Sequence, residues 1–140
     1  MVKEMKIKDN NFSFKVMPLS KLKFFINIPG ERLDSNFPKT SGVYILTDLY
    51  ENILYIGKSK NLRGRVVSHT SFGCKTNSWV DKNRINKIYI IECDEGINDV
   101  IEKAYQFFYP SEYNNNGDAY KCLQNAGLII NKNENDMYKK

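Results

Sequence analysis

The chain has 140 residues, enough for one domain with a buried core and no disulfide or metal staple, and its 41% apolar and 26% charged residues are ordinary for a soluble globular protein. No apolar run approaches the roughly 20 residues of a membrane span, and "MVKEMKIKDNNFSFK" has no signal-peptide core and carries acidic residues unlike a transit peptide. A cytoplasmic protein without membrane contact is expected. The net charge of +5 suits a polyanionic partner without establishing one. Its distribution is more informative: residues 1–40 hold eight Lys/Arg against four Asp/Glu, and residues 98–116 hold one against three.

In chain order, "FSFKV" (12–16) alternates apolar and polar side chains and reads as a short strand. "PLSKLKFFINI" (18–28) reads as a short helix opened by Pro18. "PGERLDSNFPKTSG" (29–42) is loop, so residues 1–40 look like an arm ahead of a compact unit. "VYILTDL" (43–49) and "NILYIG" (52–57) are strand-like and joined by a short polar turn, which favours an antiparallel hairpin. "KNLRGRVVSHTS" (60–71) reads as a basic helix with Asn61 as N-cap and Leu62, Val66 and Thr70 on its apolar side. Gly64 weakens that helix by about 1 kcal/mol relative to Ala, which suggests a close approach there.

"FGCKTNS" is loop, "SWVDKNRI" holds a helical turn, and "NKIYIIEC" (86–93) is the third strand of the compact unit. "INDVIEKAYQFFY" (97–109) is a helix capped by Asn98, with Val100, Ile101, Ala104, Phe107 and Phe108 buried and Pro110 as its stop. "GDAYKCLQNAGLII" reads as a last helix ended by Gly127, and "NKNENDMYKK" as a frayed tail. Cys74, Cys93 and Cys122 are odd in number and far apart, and His69 is the single histidine, so a structural zinc site is not expected and the thiols read as reduced.

One short pattern occurs twice: Gly42-Val43-Tyr44, then Tyr55-Ile56-Gly57, each in a strand of the hairpin. Tyr44 and Tyr55 can meet if the register allows. Arg65 and His69, four residues apart, share one face of the helix that follows. Taken singly these residues have plain explanations. The tyrosines would be strand-packing aromatics, Arg65 and His69 an exposed helix face, Glu102 a first-turn charge at a helix dipole, and Asn114 a turn residue.

As an ordered set, however, Gly42-Val43-Tyr44 (with Val where the family has Ile), Tyr55-Ile56-Gly57, Arg65, His69, Glu102 and Tyr113-Asn114 resemble the GIY-YIG nucleases. The interval between the tyrosines and the run "GKSKNLRGRV" are similar to the N-terminal nuclease module of the bacterial excinuclease C proteins. The likeness runs from Gly42 to about Asn114, roughly half the chain.

The resemblance implies an α+β fold, a three-stranded antiparallel sheet flanked by helices, with an N-terminal extension (1–40), a nuclease domain (41–116) and a C-terminal extension (117–140). It implies a Mg²⁺- or Mn²⁺-dependent DNA endonuclease with one ion on Glu102. One carboxylate suffices where water and phosphate complete the coordination of such an ion. Tyr44 would be the general base and Tyr55 would position water or phosphate. Arg65 would neutralise the scissile phosphate with its fork of donors.

A free phenol has a pKa of about 10. Positive neighbours (Arg65, the metal or Lys58) must therefore lower that of Tyr44, or His69 must accept its proton. Asn114 would orient substrate or fix the end of the fold. Gly42 and Gly57 would let backbone approach the active centre. Lys58, Lys60 and Arg63 are either phosphate contacts or a solvated basic face.

Selectivity for DNA is expected from residues 1–40, from residues 115–140, or from a protein partner or homodimer. Two rival readings remain open: a nucleic-acid-binding module of the same fold that makes no cut, and an interaction protein docking through the apolar helix at 100–108.

Overall fold

The computed structural model describes residues 3–6, 13–70, 80–114 and 116–128. The loop expected at "FGCKTNS" with its Cys74, and the tail "NKNENDMYKK", lie outside these. The elements are β1 (Lys3–Lys6), β2 (Ser13–Val16), β3 (Lys23–Ile26), β4 (Gly42–Thr47), β5 (Ile53–Ser59), α1 (Leu62–Thr70), β6 (Lys87–Glu92), α2 (Asn98–Phe108) and α3 (Asn116–Asn125). The class is α+β, as expected. β1 and β2 form an antiparallel ribbon, and a four-stranded antiparallel sheet has the order β3-β6-β4-β5.

The three expected strands, β4, β5 and β6, make up most of that sheet, and a fourth comes from the segment read as a helix at 18–28. There Pro18 opens only a 3-10 turn, Leu19–Lys21, before the chain extends into β3. The apolar spacing of Leu19, Leu22 and Phe25 imitates a helix. Pairing of Lys23–Ile26 with Lys87–Ile90 and burial of Phe25 against Phe37 outweigh that weak local preference.

Every residue of β4 is buried because both faces of the sheet are covered. Val43 and Ile45 face a core shared with Ile101, Tyr105, Phe108 and Leu123 of α2 and α3, and with Met5 and Val16 of the ribbon. Tyr44 and Leu46 face the other side, among Leu62, Val66, Phe37 and Ile88. This second core lies under α1 and holds the tyrosine that the sequence singled out.

Helix ends follow from single residues. The Asn61 side chain accepts from the Gly64 amide at 3.0 Å, so Asn61 caps α1 as expected. Asn98, expected to cap α2, lies inside it. The carbonyl of Asp94 takes the amide hydrogens of Ile97 and Asn98 instead, and the Asn98 amide reaches Ser59 O at 3.5 Å. α3 ends at Gly127, whose φ of +78° suits glycine, with the amides of Gly127 and Leu128 bonded to the carbonyls of Gln124 and Leu123. No helix among the described residues is long and apolar enough to cross a membrane.

Candidate active site

The β4–β5 register places Tyr44 opposite Gly57 and Leu46 opposite Tyr55, with an irregularity between Leu46 and Thr47 that leaves Leu54 outside the pairing. The two tyrosines are diagonal neighbours, their rings 6.0 Å apart, and His69 lies 5.4 Å from one and 5.6 Å from the other. Gly57 makes this possible. A Cβ there would overlap the Tyr44 hydroxyl and crowd the Tyr55 ring. The glycine clears space for the phenol itself.

Tyr44 is 1% exposed and His69 2%. The Tyr44 hydroxyl lies 2.9 Å from His69 Nε2 and receives a hydrogen bond from Arg65 Nε at 3.3 Å. Arg65 can only donate, so the phenol accepts from it, and in the His69 tautomer whose Nε2 is unprotonated the phenol's own hydrogen points to the imidazole. Burial pushes the phenol well above its usual pKa of 10. The hydrogen bond from Arg65 opposes the shift, the charges of Tyr55 and Glu102 add to it, and the Arg65 charge again opposes it. The same burial, with the Arg65 charge second, lowers His69 to about 4. At neutral pH the pair is therefore an un-ionised phenol against an un-ionised imidazole. Of the two expected routes to an active Tyr44, lowering its pKa is not achieved by Arg65 alone, and transfer of its proton to His69 has the required geometry.

The remaining catalytic candidate, Glu102, comes from the helix layer on the other side of the sheet. Glu102 is the fifth residue of α2, not a first-turn residue, and is 5% exposed. Burial is the main cause raising its carboxyl pKa, and Lys103 Nζ at 2.9 Å from Oε1 opposes that. One turn earlier Asp99 holds Lys58 Nζ at 2.6 Å and accepts from Cys122 Sγ at 3.8 Å. Among the described residues no cluster of three His, Cys, Asp or Glu could cage a metal. A single carboxylate deprived of water, coupled electrostatically to the phenol, fits one hydrated hard cation such as Mg²⁺ or Mn²⁺ and does not fit a zinc site.

The remaining candidates divide. Gly42 is needed where β4 meets β6: a Cβ there would strike the carbonyl of Ile91 and the side chain of Leu62, away from the tyrosines. Arg63 donates to the carbonyls of Asp34 at 2.7 Å, Phe37 at 3.2 Å and Leu33 at 3.3 Å, fastening the loop before β4 to α1. Lys60 is exposed and pairs with Glu95 at 3.2 Å. Asn114 accepts from Ile56 N at 2.7 Å and donates to Ile56 O at 3.1 Å, a fold-fixing contact. Sequence reading overlooked Asp99 as a partner of Lys58, and Gln106, whose buried amide donates to Ile56 O at 3.0 Å. The signal for Asp99 was its place three residues before Glu102, on the same side of one helix.

The family model of the UvrC-like GIY-YIG domain matches residues 40–96, which contain Tyr44, Tyr55, Arg65 and His69. Residues 40–96 are thus similar to the UvrC-like GIY-YIG domain. Similar proteins include UvrABC system protein C of Dictyoglomus thermophilum, 35% identical over 72 residues (51% of this chain, 12% of the relative). That of Prochlorococcus marinus subsp. pastoris is 45% identical over 65 residues (46% and 9%), and that of Borrelia duttonii 44% over 55 residues (39% and 9%). The chain thus spans about a tenth of the length of these relatives. No solved structure matches it.

Proposed function

We propose that this chain is a divalent-metal-dependent endonuclease that hydrolyses DNA phosphodiester bonds, with Tyr44 as general base and Glu102 as the protein ligand of one Mg²⁺ or Mn²⁺. The observation that carries the reading is the Tyr44 hydroxyl held between His69 Nε2 at 2.9 Å and Arg65 Nε at 3.3 Å.

The attacking water must lose a proton while charge builds on the phosphoryl oxygens. Tyr44 would take that proton on its oxygen while passing its own to His69, so no free phenolate would be needed beforehand. His69 in this state is a weak base, held down by burial and by Arg65. A phosphate on the Arg65 guanidinium would cancel that second cause, so substrate binding itself would strengthen the base. Tyr55, partly exposed beside Tyr44, would hold the water or a phosphate oxygen. The metal, when bound, supplies Lewis-acid stabilisation of the phosphate and of the departing oxygen. Lys58, partly exposed and paired with Asp99, would exchange that partner for DNA phosphate.

The test is supercoiled plasmid incubated with Mg²⁺, with EDTA as control, for the wild type, Glu102→Gln and Tyr44→Phe. Metal-dependent nicking or linearisation by the wild type and none by Glu102→Gln is the expected result. Tight, salt-sensitive binding with no cutting by any form would replace this reading with that of a non-catalytic binding module.

A further inference from the structure

Glu102 and its immediate neighbour Lys103 make a contact that helix geometry does not ordinarily provide. Successive residues point about 100° apart around an α-helix and do not face each other. Yet the Lys103 ammonium lies 2.9 Å from Glu102 Oε1, with the glutamate side chain 7% exposed and the lysine side chain 25% exposed. The physical reason is the carboxylate's burial. A charge taken out of water needs a compensating partner. The next cation, Lys58, is drawn to Asp99 at 2.6 Å, which leaves Lys103 as the described hydrogen-bonding cation at Glu102. Lys103 therefore occupies one of the two oxygens through which a metal ion would be held.

We propose that Lys103 is a tethered counter-ion that competes with the divalent cation for the Glu102 carboxylate and so sets the metal concentration at which the site fills. The inference rests on Glu102 being the metal ligand. An ammonium and a divalent ion on one carboxylate repel each other at close range, so each weakens the other's hold. A divalent ion arriving on the carboxylate would repel the ammonium on Oε1 and drive it outward, and the partial exposure of the lysine side chain gives it a way to water. Between loadings Lys103 keeps the carboxylate charged and in place, making it a positioning residue.

The experiment is titration of the full-length protein with Mn²⁺ at pH 8, without DNA, reading free Mn²⁺ by electron paramagnetic resonance. Lys103→Ala and Lys103→Met should bind Mn²⁺ about tenfold more tightly than wild type, a change of about 1.4 kcal/mol. Lys103→Arg should bind it several-fold more weakly, because a guanidinium keeps its charge and grips a carboxylate with two donors. Lys21→Ala, an exposed lysine in the turn before β3, removes the same charge elsewhere and should leave the affinity unchanged. Opposite shifts for Met and Arg at one position are not the mark of a merely structural lysine.

Glu102→Gln should abolish tight binding. If it binds Mn²⁺ like the wild type, Glu102 is not the ligand and both the functional reading and this inference fall. If Glu102→Gln loses the ion but Lys103→Ala and Lys103→Met bind no more tightly than wild type or Lys21→Ala, the inference alone is overturned. Two neutral variants of different length keep the question open to an answer should one of them fail to fold.

Discussion

Tyr44 hydrogen-bonds His69 Nε2 and accepts from Arg65 in a site buried from water. Tyr44→Phe therefore strands a buried imidazole nitrogen, at about 1–3 kcal/mol of stability, and should lower the cleavage rate on the order of 10²-fold or more. Tyr55→Phe should cost less in rate, since in this reading Tyr55 holds water or phosphate and transfers no proton. Plasmid-cleavage rates for the two variants, with thermal melts to show they are folded, check this. A Tyr44→Phe protein that cuts at the wild-type rate would return the phenol to packing. His69 makes a separate, pH-dependent contribution. Its folded pKa of about 4 lies below the ordinary 6.5, so the unfolded chain binds the extra proton between those values. The stability from keeping His69 neutral is thus fully present above pH 6.5, falls as pH drops toward 4, and levels off below. The span is on the order of 3 kcal/mol. Urea unfolding of wild type and His69→Gln from pH 7 to 4 should show the wild type losing this extra stability. Parallel curves would refute the assignment. The ordered residues made the constellation legible, but not the depth of burial. The route by which positive neighbours lower the phenol's pKa was argued from charge alone, and desolvation is the larger effect.

At the scale of elements, the β5 edge explains Asn114 and the segment around it. An edge strand leaves amides and carbonyls unpaired. Here Glu112 N and Tyr113 N donate to the carbonyls of Ile53 and Leu54, and the Asn114 side chain bonds both the amide and the carbonyl of Ile56, sharing the carbonyl with Gln106. The chain leaving α2 thus completes the strand that carries Tyr55 and Gly57. Asn114→Ala should cost about 1–2 kcal/mol, lowering the melting temperature by several degrees, with metal affinity and the order of the catalytic variants unchanged. A stable Asn114→Ala protein with a large rate loss would instead make the amide a substrate contact. This double role of one amide was not legible from "YN" alone, which reads equally well as turn residues. The strong apolar face of α2 and the capping of α1 and α3 were legible, because they depend on residues close in sequence. β3 was missed because its helix-like spacing is local and its pairing with β6 is more than sixty residues away.

For the whole molecule the question is what the first residues do. Read alone they are a basic arm, eight Lys/Arg against four Asp/Glu over residues 1–40, and an obvious source of DNA contacts. In the fold the arm is also structural. Met5 and Val16, 3% and 0% exposed, pack into the core of α2, while the Tyr105 and Tyr109 hydroxyls bond Met17 N at 3.0 Å and Met17 O at 2.6 Å. Each buried aliphatic side chain is worth about 1.5–3 kcal/mol. Deleting residues 1–17 should therefore cost several kcal/mol, a large part of the 5–15 kcal/mol that holds a typical domain together. Deleting residues 1–35 also removes β3, exposing the β6 edge and taking Phe25 from Phe37, so that form should not fold cooperatively. Hence a loss of DNA binding on truncation is not by itself evidence that the arm reads DNA. The decisive comparison keeps the buried side chains and lowers the charge, changing exposed Lys21, Lys23 and Lys39 together to Gln in the full-length chain. If the arm holds DNA phosphates, this triple variant should melt near the wild-type temperature. It should bind DNA more weakly, with a shallower dependence on salt, the slope falling by about one unit for each phosphate no longer neutralised. An unchanged salt slope would leave the arm as a cover for α2 and an edge of the sheet, with selectivity to be sought elsewhere.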